Sequence, residues 1–188
     1  MLLITNNCMG GYFYRDVVKT EYNHPFFWGT TSISMLNLIR NWDNINFKNY
    51  SIEKYGDWKF KILIDNKAEY RCLHYHFDKN TNKPTVRGCD VFYNKIWEYI
   101  QEKYETRLER MLKLNENPTF VIHWFPGDGY TEEMLDNFIK EDIKYKTVIF
   151  MPYKKYAGYK NGNIKLVYEP KSDTANIFYL ATKISENL

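Results

Sequence analysis

The 188-residue sequence lacks most features that mark specialised protein classes. Its 3 cysteines are an odd number at spacings that match neither a zinc motif nor a disulfide framework, which favours a reduced, cytoplasmic setting. No apolar run approaches the roughly 18 residues that span a bilayer, and the segment Met1–Thr5 is too short and uncharged for a signal peptide. The 26 basic and 23 acidic residues form no block of one sign, which argues against nucleic acid as a partner.

Motifs for nucleotide binding are also missing. Neither the dinucleotide pattern G-x-G-x-x-G nor the phosphate loop G-x-x-x-x-G-K-[ST] occurs as a set with its partner residues. What remains is ordinary for a globular protein, with 44% hydrophobic and 26% charged residues, except for a high aromatic share of 18%. A chain of this length buries about two thirds of its unfolded surface, and no repeat or low-complexity linker divides it. We therefore expect residues 1–188 to form a single domain.

Apolar runs that alternate with amphipathic segments predict the fold. Unbroken apolar strands are expected at residues 1–5, 119–124 and 147–151, a pattern typical of strands buried on both faces. The strongest helix is predicted over Val91–Leu114, with Leu112 in its apolar stripe. The other expected elements are helices at Tyr12–Lys19, Ser32–Trp42 and Glu132–Glu141 (capped by Thr131), strands at Trp58–Ile64, Glu69–Phe77, Asn163–Tyr168 and Asn176–Leu180, and a polar loop at Lys79–Arg87. This order predicts a three-layer α/β fold, with a largely parallel sheet, helices on both faces and an added antiparallel hairpin.

Two chemically useful side chains fall at the carboxyl ends of predicted parallel strands, where open α/β sheets bind ligands. Cys8 follows the first strand and precedes a helix, whose unpaired N–H groups favour a thiolate. His123 stands at the end of the 119–124 strand, and an imidazole within reach would complete an activated pair. Against this, a free cysteine beside glycines is commonly a small apolar residue that fills a turn. The pattern alone leaves both interpretations open.

Three further groups are candidates for binding or catalysis. His74 and His76 share one face of a strand, where either could be a general base; a third ligand at fixed spacing is missing, so no metal is expected. The loop that contains Asn7, Met9, Gly10 and Gly11 could hold an anion on its backbone N–H groups. Arg107 and Arg110, one turn apart, could hold a phosphate or carboxylate, or could simply face solvent. Sugar stacking is expected at aromatic residues outside the core, namely Trp28, Tyr75 and the 153–159 loop.

Several motifs resemble those of a known family. The segment Ile4–Gly11, I-T-N-N-C-M-G-G, resembles the opening I-S-N-N-C-x-G-G of an uncharacterised bacterial family of exopolysaccharide biosynthesis proteins. The later matches follow in the same order: Leu73–Tyr75 resembles F-L-H-Y, Tyr104–Arg110 resembles W-x-x-R-x-x-R, Asp128–Glu133 resembles D-G-x-T-E-E and Tyr145–Phe150 resembles N-K-V-x-F-T. Pro25–Trp28 resembles the P-F-D-W of a related papain-like cysteine peptidase family, with Phe27 in place of the acid. The N-C after the first strand is similar to capsule-biosynthesis enzymes that bind coenzyme A.

The resemblance implies an enzyme of surface polysaccharide biosynthesis that transfers an acyl group, such as acetyl from coenzyme A, to a sugar, which could be nucleotide- or lipid-linked. Cys8 would be the nucleophile and His74 the general base, with His123 or His76 as its replacement. The N–H groups of Met9 and Gly10 would stabilise the oxyanion, and the two arginines would hold phosphates. The alternatives are a cysteine hydrolase with the same residues and a non-catalytic glycan-binding protein. The donor, the acceptor and the oligomeric state stay open.

Overall fold

The computed structural model describes residues 1–7, 9–20, 24–27, 29–30, 34–55, 59–77, 84–86, 96–170 and 177–188. The side chains of residues 27, 29–30, 54–55, 59, 72–77, 84–86, 96–97, 99 and 177–178 lie outside this description. Cys8 and Trp28 therefore lie outside the described residues, as do the side chains of His74, Tyr75 and His76, so the predictions for these five residues stay predictions.

The described elements form a mixed α/β fold with two sheets. The strands are β1 (Leu2–Thr5), β2 (Gly29–Thr30), β3 (Tyr50–Tyr55), β4 (Lys59–Ile64), β5 (Ala68–Phe77), β6 (Pro84–Val86), β7 (Pro118–His123), β8 (Thr147–Met151), β9 (Lys160–Asn161) and β10 (Ile164–Tyr168). The helices are α1 (Met9–Tyr12), α2 (Ser34–Asn41), α3 (Ile96–Lys113), α4 (Glu132–Phe138) and α5 (Ile177–Asn187). A π-helical segment, Phe13–Val18, directly continues α1.

The main sheet has the strand order β1-β7-β8-β10-β9 among the described residues. The first four strands are parallel, and β9 pairs antiparallel with β10. Residue Thr5 lies opposite Val121, while His123 lies opposite Phe150. The carboxyl ends of β1, β7 and β8 therefore meet at one edge of the sheet. This confirms the predicted α/β class with a largely parallel sheet.

Alternate residues of the main sheet enter two separate hydrophobic cores, as expected for strands covered on both faces. Ile4, Phe120 and Ile122 pack into the larger core with α2, α3, α4 and the second sheet. Leu3 and Val121 pack into the smaller core with α1, the π-helical segment and α5. By the same alternation, Thr5 and His123 belong to the face that carries α1.

In the described part of the chain, side chains rather than another strand close the outer edge of β1. His24 Nε2–H donates to the Leu3 carbonyl at 2.7 Å, and the Tyr14 hydroxyl donates to the Met1 carbonyl. His24 Nδ1 in turn accepts from the Phe26 backbone N–H at 3.2 Å. These bonds satisfy carbonyls that an exposed edge strand would offer to another chain, and they keep β1 buried.

The second sheet has the strand order β2-β5-β4-β3, with β6 paired to the far end of β5. The β4–β5 hairpin turns at Asp65 and Asn66, whose φ angles of 51° and 53° are left-handed. Asp and Asn tolerate this conformation better than other residues, which explains why the turn was predictable. The edge strand β3 is not among the predicted elements.

Several boundaries and assignments differ from the sequence-based expectations, and four of them bear on the fold or the site. The predicted strand Asn176–Leu180 is wrong, because residues 177–187 form α5, with Leu180, Ala181 and Ile184 buried at helical spacing. The predicted Tyr12–Lys19 helix instead begins at Met9, directly after Cys8 in the sequence. Residues 84–86 of the predicted polar loop pair with β5. Leu112 is 45% exposed and does not belong to the buried stripe of α3.

Within the described part of the chain, no helix combines the length and the apolar character needed to cross a membrane.

Candidate functional site

A buried polar cluster occupies the carboxyl edge of the main sheet, between the loop after β1 and the end of β7. It joins two segments that lie more than 100 residues apart in sequence, through hydrogen bonds of Asn6 and Asn7. Its members are Thr5, Asn6, Asn7, His123 and Tyr130. His123 and Asn6 are each only 1% exposed. Buried polar groups need partners because they lose water on folding, and each of these side chains has at least one partner in the chain.

The Asn6 amide holds the main chain of His123. Asn6 Oδ1 accepts from the His123 N–H at 2.9 Å, and Asn6 Nδ2 donates to the His123 carbonyl at 3.0 Å. The amide thus pairs with His123 as a peptide group of a neighbouring strand would, and continues the β1–β7 pairing beyond Thr5. Asn6 Nδ2 also lies 3.3 Å from the Tyr130 hydroxyl oxygen. These contacts fix the backbone that carries the imidazole.

The loop on either side of Cys8 is closed by its own hydrogen bonds. Thr5 Oγ1 donates to the Asn7 carbonyl at 2.7 Å and accepts from the Gly10 N–H at 3.1 Å. Asn7 Oδ1 accepts from the Met9 N–H at 2.9 Å. A Cβ at Gly10 would lie only 2.8 Å from Thr5 Oγ1, so the close approach requires glycine at this position.

These bonds bear on the predicted oxyanion donors. The N–H groups of Met9 and Gly10 both donate to side chains of the same loop. A ligand oxygen would have to displace Asn7 or Thr5 to reach them. The roles predicted for Met9, Gly10 and Gly11 stay predictions, and Gly11 is buried in α1.

His123 and Asn7 meet directly. Asn7 Nδ2 lies 3.2 Å from His123 Nδ1, and Asn7 is only 4% exposed. Since Asn7 immediately precedes Cys8, this contact joins the loop of the predicted nucleophile to one of the predicted histidines. The structure therefore brings His123 and Asn7 together at the carboxyl edge of the main sheet.

The turn after β7 adds an aromatic ring and an acid beside His123. The Phe125 ring stacks on the imidazole, with ring centres 5.5 Å apart and planes 12° from parallel. Burial raises the pKa of Asp128, and the electrostatic contributions of the neighbouring His123 and Arg71 act in the opposite direction. Arg71 lies on β5 and bonds Glu69 at 2.6 Å. The second sheet therefore approaches this edge at Asp128.

Arg107 and Arg110 occupy a different place. Arg107 lines a narrow cleft of about 20 Å³ with Pro25, Tyr70 and Lys103, and its charge helps to lower the pKa of His24. Such a volume holds about one water molecule, not a phosphate. Arg110 is exposed on α3. The predicted anion-binding role of this pair stays a prediction.

Two clefts lie between α3 and the edge strand β3. They measure about 470 and 240 Å³, and they share Lys48, Tyr50 and Glu105 in their walls. The Tyr50 hydroxyl donates to Glu105 at 2.6 Å, and Gln101 Nε2 donates to the same carboxylate at 2.9 Å. We call this the α3–β3 groove. Sequence patterns did not indicate it.

Sequence reasoning also did not predict Thr5, Asn6, Tyr130 and Asp128 as part of the site. The N-N dipeptide after a buried strand was visible, but asparagine is common in loops, and the partner of each amide lies over 100 residues away. Among the described residues, no three His, Cys, Asp or Glu side chains group as metal ligands.

Comparison with known proteins adds no assignment: no family model, curated protein or solved structure matches the chain. The resemblance to the exopolysaccharide family stays a prediction from the motifs.

Proposed function

We propose that this protein transfers an acyl group to a sugar hydroxyl during the biosynthesis of surface polysaccharide, with Cys8 as the nucleophile. The observation that carries the proposal is the hydrogen bond between Asn7, the residue before Cys8, and His123 at the end of β7. A nucleophile loop joined to a histidine at the carboxyl edge of a parallel sheet is a typical arrangement for covalent catalysis. The sugar and the polysaccharide setting rest on the motif resemblance.

The chemistry would proceed in two steps. The Cys8 thiolate would attack the acyl carbon of a thioester or ester donor, forming an S–C bond and expelling the leaving group after a tetrahedral intermediate. The sugar oxygen would then attack the acyl-cysteine, give its proton to a general base and release the thiolate. The resemblance implies His74 as the base, with His123 or His76 as its replacement.

Coenzyme A as the donor is a separate proposal, because its phosphates need cations. Among the described residues at this edge, the cation within electrostatic range of Asp128 is Arg71, and its guanidinium bonds Glu69. The described side chains thus supply no phosphate site here. Neither of the two steps depends on coenzyme A.

The decisive experiment is mass spectrometry of the purified protein after incubation with an activated acetyl donor, followed by a screen of sugar acceptors. We expect an acetyl adduct on Cys8 and its loss when the acceptor is added. Cys8→Ala should lower transfer by about 10³-fold or more. The matched controls are Cys72→Ala and Cys89→Ala, which should retain transfer. Full activity in Cys8→Ala would refute the proposal.

A cysteine hydrolase is the alternative with the same nucleophile. It differs in that water replaces the sugar, so the acetyl adduct would turn over to free acetate with no acceptor present. Rapid acetate release that no sugar accelerates would favour the hydrolase.

The α3–β3 groove favours a third candidate, non-catalytic glycan binding. An aromatic ring beside a carboxylate and an amide suits the apolar face and hydroxyls of a sugar. Oligosaccharide-induced NMR shifts confined to residues around Tyr50, together with an unreactive Cys8, would support binding over catalysis.

A further inference from the structure

We propose that Asn7 holds His123 in the tautomer protonated at Nε2, so that His123 serves the transfer as a hydrogen-bond donor to the oxyanion and not as the general base. The tautomer follows from contacts alone. The catalytic role rests on the proposed function.

The orientation of the Asn7 amide is fixed by the backbone of Met9. The Met9 backbone N–H is always a donor, and it lies 2.9 Å from Asn7 Oδ1. The oxygen end of the amide is therefore fixed toward Met9, and the NH₂ end faces His123. Reversing the amide would leave the Met9 N–H against a second donor in a loop where Asn7 is 4% exposed, so water could not readily replace the lost acceptor.

The fixed orientation of the Asn7 amide determines which nitrogen of the His123 imidazole carries the proton. An amide nitrogen offers hydrogens and no lone pair, so His123 Nδ1, 3.2 Å away, must accept. A neutral imidazole that accepts at Nδ1 carries its proton on Nε2. His123 therefore presents an N–H, and not a lone pair, at its second nitrogen.

A proton on Nε2 suits His123 to donate a hydrogen bond and not to accept a proton. A general base must take a proton at Nε2, which would require the ring proton to sit on Nδ1, against the Asn7 NH₂. A fixed N–H instead suits the negative charge that develops on the carbonyl oxygen.

Protons and electrons balance with His123 unchanged. As the Cys8 sulfur forms its bond to the acyl carbon, the carbonyl electron pair moves onto oxygen, where the His123 N–H binds it. Collapse restores the carbonyl and breaks the bond to the leaving group. The thiol proton passes to a different base and then to the leaving group, and the ring proton of His123 stays on Nε2.

The tautomer can be measured directly by long-range ¹H–¹⁵N NMR of the full chain labelled at histidine. The sequence has only 4 histidines, and single substitutions assign them. His24 is an internal reference, because the Phe26 N–H fixes its Nδ1 as an acceptor and the Leu3 carbonyl fixes its Nε2 as a donor. We expect His123 to show the same pattern as His24. A proton on His123 Nδ1 would overturn the inference.

Variants test whether Asn7 causes the tautomer and whether His123 acts as a hydrogen-bond donor. In Asn7→Asp a carboxylate can accept from both the Met9 N–H and a proton on Nδ1, so the His123 pattern should change while that of His24 does not. In transfer assays His123→Ala should lose about 10²–10³-fold, whereas His123→Gln, which keeps an N–H donor but is no base, should recover at least tenfold of that loss. Equal losses in both would overturn the donor role.

Failure of the two proposals can be told apart. A wild-type protein with the expected tautomer but full transfer in Cys8→Ala would refute the proposed function and the catalytic role of His123, and would leave the tautomer intact. An active, Cys8-dependent protein with a proton on Nδ1 would refute this inference alone.

Discussion

The Asn6 side chain and the His123 main chain form a two-bond pair, in which one amide satisfies both the N–H and the carbonyl of the histidine at 2.9 and 3.0 Å. The pair fixes the backbone of His123, while Asn7 engages its ring. Of these two adjacent asparagines, Asn6 therefore fixes the position of His123, and Asn7 acts on the protonation of its ring.

Removing the Asn6 amide should cost stability. In Asn6→Ala the buried N–H and carbonyl of His123 lose their partner, at about 1–3 kcal/mol for each unsatisfied group. We expect the free energy of unfolding to fall by about 2–4 kcal/mol in urea titrations. Asn41→Ala is the matched control, because Asn41 donates to Asn37 on the exposed side of α2 and should change stability by less than about 0.5 kcal/mol. Equal effects in both variants would contradict the pairing.

Gly10→Ala should destabilise the protein although alanine favours helices. The gain in helix propensity is up to about 1 kcal/mol, but the new Cβ would meet Thr5 Oγ1 at 2.8 Å, inside a closed loop. Thr5→Ala removes that oxygen, so the double variant should be more stable than the sum of the single changes predicts. Urea unfolding of the four proteins gives the coupling energy, and strict additivity would show that the contact does not matter.

His24 should make the protein less stable in acid. Burial, and secondarily the charge of Arg107, lowers its pKa to about 3 against the Leu3 hydrogen bond, which acts in the opposite direction. Between about pH 6.5 and 3 the unfolded chain then binds a proton that the folded chain excludes. The free energy of unfolding therefore decreases as the pH is lowered through that window, by up to about 1.4 kcal/mol per pH unit.

The variant His24→Gln keeps a donor and an acceptor but does not titrate. Its unfolding free energy should depend less on pH below about 6.5 than that of the wild type. Urea titrations at several pH values measure the difference, and parallel curves would contradict the neutral, buried His24.

Asp128 and Asp43 should respond to pH in opposite directions. Burial raises the pKa of Asp128, so its ionisation disfavours the folded state as pH rises. Bonds from Lys144 and Tyr145 lower the pKa of Asp43, so its ionisation favours folding. Relative to the wild type, Asp128→Asn should gain stability and Asp43→Asn should lose it as pH rises from 3 to 7. Shifts of the same sign would refute the assigned environments.

The sequence predicted the strands that carry the site better than the hydrogen bonds within it. Unbroken apolar runs identified β1, β7 and β8, and strand polarity then placed His123 and the 6–8 loop at one edge. The bonds themselves could not be predicted, because the register that sets Thr5 opposite Val121 depends on side-chain packing across two cores. The α5 error has a related cause: Asn176–Leu180 is too short to show a period, and the helical spacing appears only when Ala181 and Ile184 are included.

The position of β1 at the rim of the main sheet has a consequence for how the site assembles. Asn6 and Asn7 directly follow the amino-terminal strand β1, whereas His123 belongs to a strand that also pairs with β8. Local opening of β1 alone would dismantle the asparagine–histidine cluster while β7, β8 and β10 stay paired. Hydrogen exchange of the β1 amides should therefore report the fraction of molecules in which the asparagine–histidine cluster is intact, independently of global unfolding. The bonds from His24 and Tyr14 to the β1 carbonyls should raise that fraction, although neither residue belongs to the cluster.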